Sequence, residues 1–175
     1  MQSRNGFTLI ELMVVVAIVA ILGSIGYPSF MTAILNSRIS TQTNSLLGIL
    51  QYARSEAVTT RTLTRVCGST DANNATFPKA CNTTDWENGV IAFRDIDGNG
   101  SAATAELLRI IPASNDGNTI RGVANAATSV DFQTDGTSAQ TSSLRVCDSR
   151  GVGSSRQVTV NIAGQARSGG NGQCP

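Results

Sequence analysis

The feature that most constrains this chain is an apolar stretch close to its N-terminus. Residues 12–25 carry no charged side chain, and with the apolar residues before them they form a helix long enough to cross a membrane. One carboxylate, Glu11, lies near the start of this run. A charge in hydrocarbon costs about 2.5–3.5 kcal/mol on insertion scales, so Glu11 is a candidate functional residue.

The residues before Glu11 offer a partner for its charge. A polar leader with Arg4 as its one charge ends at Gly6-Phe7, and cleavage after Gly6 would create an amine at Phe7. A secretory signal peptide would have a more basic start, a shorter apolar core and a small-residue cleavage site after that core. A plain membrane anchor explains the length of the run but neither Gly6-Phe7 nor Glu11.

The run Gly6-Phe7-Thr8-Leu9-Ile10-Glu11-Leu12 resembles the N-terminus of type IV pilins and type II secretion pseudopilins. The resemblance implies that a prepilin peptidase removes the leader and N-methylates Phe7. It also implies that Glu11 pairs with the terminal amine of a neighbouring subunit during assembly.

Three segments follow from this resemblance. We expect a cleaved leader over residues 1–6, a transmembrane and assembly half-helix over 7–28, and a periplasmic globular head over 29–175. The subunit would span the bacterial inner membrane once and later be assembled into a pilus at the cell surface.

Helical periodicity continues beyond Pro28, at steps of three or four residues with one skipped turn at Thr43. We therefore predict one helix from Thr8 to Thr60, apolar all round in its first half and on one face in its second. Pro28 marks a weak point, because proline removes a backbone hydrogen bond. The predicted apolar stripe of the second half consists of Leu35, Ile39, Leu46, Leu50, Ala53 and Ala57.

From Leu63 onward, short apolar runs alternate with turn residues such as Asp135-Gly136, which is typical of antiparallel strands. The pattern predicts a head of mostly antiparallel β-sheet packed on the helix. With it, the resemblance to type IV pilins implies the fold class α+β, a long N-terminal α-helix packed on an antiparallel β-sandwich head. The predicted strands are Leu63–Cys67, Gly89–Asp95, Glu106–Pro112, Asn118–Ala124, Ser129–Gln133, Ser143–Asp148 and Gln157–Ala163.

The stretch from Leu50 to Val58, Leu-Gln-Tyr-Ala-Arg-Ser-Glu-Ala-Val, is similar to FimT/FimU-type minor pilins and their pseudopilin H relatives. With the hairpin-rich head, the resemblance covers most of the chain and weakens after about residue 110. It implies a subunit at the tip of a pilus or pseudopilus that helps to prime assembly. Some members of this family bind DNA during natural transformation.

Histidine is absent and there are four cysteines. In a chain that reaches or crosses a membrane, four cysteines predict two disulfides in an oxidising compartment. Three connectivities are open, and we favour the sequence-local pairs Cys67–Cys81 and Cys147–Cys174. The alternative is reduced, buried cysteines.

A DNA-binding motif, Gly-Arg-x-Arg, occurs near the C-terminus of the DNA-binding family members. The matching segment here is Gly164-Gln165-Ala166-Arg167, in which Gln165 takes the place of the first arginine. Arg167 is therefore a candidate DNA-binding residue within a modestly basic C-terminal segment. The alternative is a set of solvated arginines, since no aromatic residue follows Phe132 to stack on bases.

The loop Asp95-Ile96-Asp97-Gly98-Asn99-Gly100, with Glu106 after it, fits the spacing of a calcium-binding loop. The strands predicted on either side argue for the alternative, a polar hairpin loop, and we predict no metal site and no cofactor. Asp85, Trp86 and Glu87 fit an exposed turn with one packing aromatic. The sequence lacks a catalytic constellation, and we do not expect an enzyme.

The sequence as a whole predicts a minor pilin that primes or caps a type IV pilus at its tip. Its partners would be other pilins, the prepilin peptidase and the inner membrane, with DNA as a further candidate. The alternatives are a DNA-binding minor pilin for natural transformation and a pseudopilin of a type II secretion system.

Overall fold

A computed structural model describes residues 7–114, 116–124, 126, 128–170 and 174. The predicted leader, including Gly6, lies outside the described residues. The described residues fall into two compact units, one ending at Ser37 and the other beginning at Arg38. The boundary expected after Pro28 stays a prediction.

A single helix, α1, covers Leu9–Thr60, as the periodicity predicts. The hydroxyl of Thr8 accepts a hydrogen bond from the backbone N–H of Glu11 at 3.3 Å, so Thr8 caps the first turn. The helix continues through Pro28. It ends before Arg61, whose φ of 53° is the left-handed conformation that commonly follows a helix C-terminus.

The buried face of α1 lies in its second half and agrees largely with the predicted stripe. Thr43 occupies the skipped turn and is buried, with its hydroxyl donating to the Ile39 carbonyl at 2.7 Å. A polar residue fits there because its own helix satisfies the hydroxyl. Buried helix residues are Ile39, Thr43, Leu46, Ile49, Leu50, Ala53 and Ala57.

Ten strands and two short 3-10 helices, Trp86–Asn88 and Val152–Ser154, follow α1 in the described residues. The strands form two four-stranded antiparallel sheets, in the orders β5-β3-β1-β7 and β10-β9-β8-β6, and a two-stranded sheet of β2 and β4. The strands are β1 Thr64–Gly68, β2 Lys79–Ala80, β3 Val90–Arg94, β4 Ser101–Ala102, β5 Leu107–Ile111, β6 Thr119–Ala124, β7 Ser129–Phe132, β8 Ser142–Cys147, β9 Arg156–Val160 and β10 Ala166–Gly169.

This architecture is the α+β fold that the sequence predicts. All seven predicted strands are present, with their bounds shifted by no more than three residues, whereas β2, β4 and β10 were not predicted. The main core joins the buried face of α1 to both four-stranded sheets, through residues such as Leu50, Phe132 and Val158. A smaller core around Cys67, Ile91 and Phe93 contains other residues of the first sheet.

The segment from Asp85 to Glu87 departs from the predicted exposed turn. Trp86 begins a short 3-10 helix and is only 1% exposed, so the expectation of a packing aromatic is met. The predicted exposure is wrong for Glu87. Its carboxylate accepts a hydrogen bond from the backbone N–H of Ile120 at 3.0 Å and forms an ion pair with Arg121. An ion pair and a backbone donor hold this carboxylate against β6.

Candidate functional site

The first candidate site is the N-terminal half of α1. Its apolar residues are exposed all round, from Leu9 at 76% to Ile25 at 69%. Glu11, also exposed, is the one charged residue between Phe7 and Ser37. Its position in the first turn places the carboxylate near the positive end of the helix dipole, where a negative charge is favoured.

A helix that is apolar on all sides is stable only in lipid or among other apolar helices. Among the described residues, α1 is the one helix long and apolar enough to cross a membrane. The exposed surface of Leu9–Ile25 therefore requires a lipid environment or neighbouring helices around it. Glu11 would be carried into that environment along with the helix.

Two turns of the head share one pattern of backbone hydrogen bonds. In the first, the Gln133 carbonyl accepts from Gly136 at 2.8 Å and the Gln133 N–H donates to Thr137 at 2.7 Å. In the second, Asn161 makes the corresponding bonds with Gly164 and Gln165, at 2.8 and 3.1 Å. Both are three-residue loops that end in a left-handed glycine, with φ of 79° at Gly136 and 73° at Gly164.

The two turns pack directly against each other. The Ser138 N–H donates to the Ile162 carbonyl at 2.9 Å. A Cβ atom at Gly164 would lie 1.9 Å from the Gly136 carbonyl oxygen, a distance no side chain tolerates. Glycine is therefore required at 164 both by its φ angle and by this close approach, which explains the glycine of the Gly164-Gln165-Ala166-Arg167 segment.

Arg54 of α1 holds both turns. Its Nε donates to the Gly136 carbonyl at 3.1 Å, and its Nη2 donates to the Ala163 carbonyl at 2.9 Å. Sequence reasoning missed this role, because Arg54 lies on the polar side of the helix and its acceptors are backbone atoms. Gly136 and Gly164 are sequence signals for turns, but the sequence does not show that the two turns meet.

An open groove of about 650 Å³ lies between this part of α1 and the end of the second sheet. Arg167 is exposed on β10 and its Nη2 donates to the Gln165 side chain at 3.0 Å. The structure thus brings Arg167 and Arg54 to one groove. The groove is lined by Gln51, Arg54, Ser55, Val58, Thr59, Gly164, Gln165, Ala166 and Arg167.

The other C-terminal arginines are arranged differently. The strand register places Arg145 and Arg167 on the same face of the second sheet. Arg150 is neutralised by Asp148, to which its Nη2 donates at 2.6 Å. Arg156 begins β9 on the opposite side of the strand alternation. A patch of all four arginines therefore does not form, and two of them share a face.

The Asp95–Glu106 loop is closed by its own amides. The Glu106 carboxylate accepts the N–H groups of Ile96 and Ala103, each at 3.0 Å, and the Asp95 carboxylate accepts that of Gly100 at 3.2 Å. The oxygens expected to face a calcium ion are thus bonded to N–H donors. Within the described ranges, no three acidic, histidine or cysteine side chains are arranged to hold a metal.

Both sequence-local cysteine pairs are disulfide-bonded in the structure. Cys67 and Cys81 have their Cα atoms 5.5 Å apart, and Cys147 and Cys174 have theirs 5.9 Å apart. The first bridge fastens Cys81, directly after β2, to β1 of the first sheet. The second fastens the C-terminal end of the chain to β8.

Two family models match this sequence. The model of the type II transport protein GspH matches residues 42–164, and the model of the prokaryotic N-terminal methylation motif matches residues 1–27. Comparison with curated proteins finds no match.

The fold is similar to two crystal structures of the type IV minor pilin FimU from Pseudomonas aeruginosa strain PAO1. One is 21% identical with a TM-score of 0.59, over 79% of this chain and 90% of the FimU chain. The other is 20% identical with a TM-score of 0.55, over 78% and 96%. At this identity the likeness concerns the fold.

Proposed function

From the premise that this chain belongs to the family of the type II transport protein GspH, and is thus a minor pilin or pseudopilin, we propose that it is a minor pilin of a type IV pilus. It primes or caps filament assembly at the tip, and so supports pilus functions such as twitching motility, adhesion or DNA uptake. Its mechanism is association without chemical turnover.

The observation that carries this proposal is the exposed apolar surface of α1 with Glu11 in its first turn. Before assembly, the surface holds the subunit in the inner membrane, with the head on the periplasmic side. In the filament, the same surface packs among the helices of neighbouring pilins. One surface serves both states because lipid and packed apolar helices are both dry, apolar surroundings.

The charge of Glu11 makes the transfer of the helix from the membrane to the filament specific. A buried carboxylate is costly unless an opposite charge pairs with it, and the Phe7 amine of a neighbouring subunit is the natural partner after cleavage. Cleavage between Gly6 and Phe7 and methylation of Phe7 are part of the proposal. Intact-mass measurement of the mature chain tests both, and a chain that retains residues 1–6 in assembled pili would contradict them.

Replacement of Glu11 tests the assembly role. Glu11→Ala or Glu11→Val should leave membrane insertion and leader cleavage intact but reduce the amount of the subunit in sheared pili. Glu56→Ala is a matched control on the same helix, because the one ion pair of the Glu56 carboxylate among the described residues is a long contact of 3.9 Å with Arg94. Normal incorporation of the Glu11 variants would dismiss the role.

The choice of a pilus over a secretion pseudopilus is supported by the structures that this fold resembles, which are type IV minor pilins. The alternative is a pseudopilin of a type II secretion system, as the family description suggests. Deletion of the gene separates them: loss of surface pili supports the proposal, and loss of protein secretion with normal pili supports the alternative.

DNA binding is a second candidate function, favoured by the exposed Arg167 and by the face it shares with Arg145. Guanidinium groups on one face can bind successive phosphates of a nucleic acid. A gel-shift assay at low salt should show retardation that Arg167→Ala weakens. Absence of retardation would dismiss this function.

A further inference from the structure

The second sheet ends, beside α1, in a strand whose outer edge has no strand partner among the residues that the structure describes. β10 is the outermost strand of its sheet and pairs with β9. The N–H of Asn161 donates to the Gln165 carbonyl, so these two residues are a hydrogen-bonded pair. Hydrogen-bonded and non-hydrogen-bonded pairs alternate from there along β9 and β10. Arg167 therefore turns its backbone groups toward Thr159, whereas Ala166 and Ser168 turn theirs away from β9. Such an edge is a template for another extended chain.

The helix side of the groove is formed mainly by polar side chains at regular intervals along α1. Gln51, Ser55 and Thr59 follow one another at intervals of four residues, with Arg54 and Val58 beside them. The groove between these side chains and β10 has a volume of about 650 Å³, within the usual range of ligand-binding clefts. An extended peptide can therefore lie along β10 with the helix as its other wall.

The charged side chains in the described lining of the groove, Arg54 and Arg167, are both positive. Arg54 is oriented by two carbonyl oxygens and Arg167 by the amide of Gln165, so neutral groups hold both guanidinium groups in place. Neither arginine forms an ion pair within the part of the chain that the structure describes. The described lining contains no carboxylate. Charge complementarity therefore selects an acidic ligand.

We infer that the groove between α1 and β10 binds an extended acidic segment of a neighbouring subunit, which adds a strand to β10. The inference rests on the proposed function, which gives the head its neighbours. The outward backbone groups of Ala166 and Ser168 bind the main chain of the segment, and Arg54 and Arg167 bind its carboxylates. A nucleic acid fits less well, since no aromatic side chain is among the described residues of the lining to stack on bases.

Binding of a synthetic peptide tests the charge requirement. The probe is a short fluorescent peptide of alternating valine and glutamate, added to the full chain without its leader in a non-ionic detergent. Its Kd should rise with salt and rise roughly tenfold or more in Arg167→Glu, because a charge-assisted hydrogen bond is lost. Arg156→Glu is the matched charge reversal outside the groove and should leave Kd unchanged.

Strand addition has its own readout. In the unaltered chain, the peptide should slow amide hydrogen exchange at Ala166 and Ser168, whose N–H groups point outward, and leave that of Arg167 as it was. Ser168→Pro removes one outward donor, is tolerated at an edge and should weaken binding. If this variant does not fold, the exchange measurement on the unaltered chain decides the point.

Three outcomes would overturn the inference. One is a failure of the acidic peptide to bind, and another is equal binding of a peptide with lysine in place of glutamate. The third is an oligothymidylate that binds more tightly, depends on Arg167 and leaves the Ser168 amide unprotected. The proposed function is tested separately. If the peptide does not bind but incorporation into pili depends on Glu11, the inference alone is wrong. If the peptide binds but Glu11→Ala is incorporated normally, the filament role alone is wrong.

Discussion

At the scale of single residues, Asp135 shows how a turn of the head is held. Its carboxylate accepts hydrogen bonds from the Thr137 hydroxyl at 2.7 Å and from the Thr137 backbone N–H at 2.9 Å. These bonds favour the ionised form and lower the pKa of Asp135 below its ordinary value of 3.8, against a small opposing effect of desolvation. The side chain thus stabilises the turn that Arg54 and Gly164 contact.

A titration of this carboxyl group is the corresponding prediction. Thr137→Val removes the larger cause of the shift, so the pKa of Asp135 should rise toward 3.8, as measured by NMR of the carboxyl carbon. Because the folded-state pKa is lowered, the stabilisation is present above the unfolded-state pKa and is lost as the pH falls through the folded-state value. Thr134→Val, a change of the neighbouring exposed threonine, should leave the titration as it is.

Glu11 and Arg54 differ in how far their roles can be predicted from the sequence. Glu11 was identifiable because a carboxylate in an apolar run is conspicuous, although its partner amine stays a prediction. Arg54 was not, because its two acceptors are backbone carbonyls 82 and 109 residues further along the chain. No property of the arginine itself encodes that contact, since only the folded turns create the acceptors.

At the scale of secondary structure elements, the two turns and α1 form one interlocked unit. Gly164→Ala should lower the free energy of unfolding by roughly 2–5 kcal/mol. A left-handed alanine costs about 1–2 kcal/mol, and overpacking against the Gly136 carbonyl adds about 1–3 kcal/mol. Chemical denaturation of the full chain in detergent measures the change.

Gly153→Ala provides the control for that prediction. Gly153 itself does not have a left-handed φ angle, and an added Cβ atom there meets nothing within 4 Å. This change should alter stability by less than about 0.5 kcal/mol, as expected at a compatible glycine. Equal effects of the two substitutions would show that the turns do not interlock.

The strands also show what sequence patterns can and cannot reveal. β9 was predictable because apolar Val158 and Val160 alternate with polar residues and are buried. β10 was not, because only Ala166 packs toward the core and its remaining residues are exposed. It is a strand because the turn at Asn161 returns the chain along β9, which is a tertiary cause. The candidate groove was unpredictable for the same reason.

At the scale of the whole molecule, the head has two separate crosslinks. Cys67 joins β1 of the first sheet to Cys81, and Cys147 joins β8 of the second sheet to Cys174. The bridges span 14 and 27 residues of sequence, and in the chain-entropy model each stabilises the fold by roughly 3 kcal/mol. They constrain different parts of the unfolded chain, so their contributions should be nearly additive.

That additivity gives the last prediction. Replacing either pair, Cys67 and Cys81 or Cys147 and Cys174, with alanines should leave a folded head that is about 3 kcal/mol less stable. Replacing all four should remove about 6 kcal/mol, which is comparable to the whole stability of many domains, so the head should unfold at growth temperature. Denaturant unfolding and resistance to proteolysis measure this in the full chain. A four-alanine variant as stable as either two-alanine variant would mean that the bridges constrain the same part of the unfolded chain.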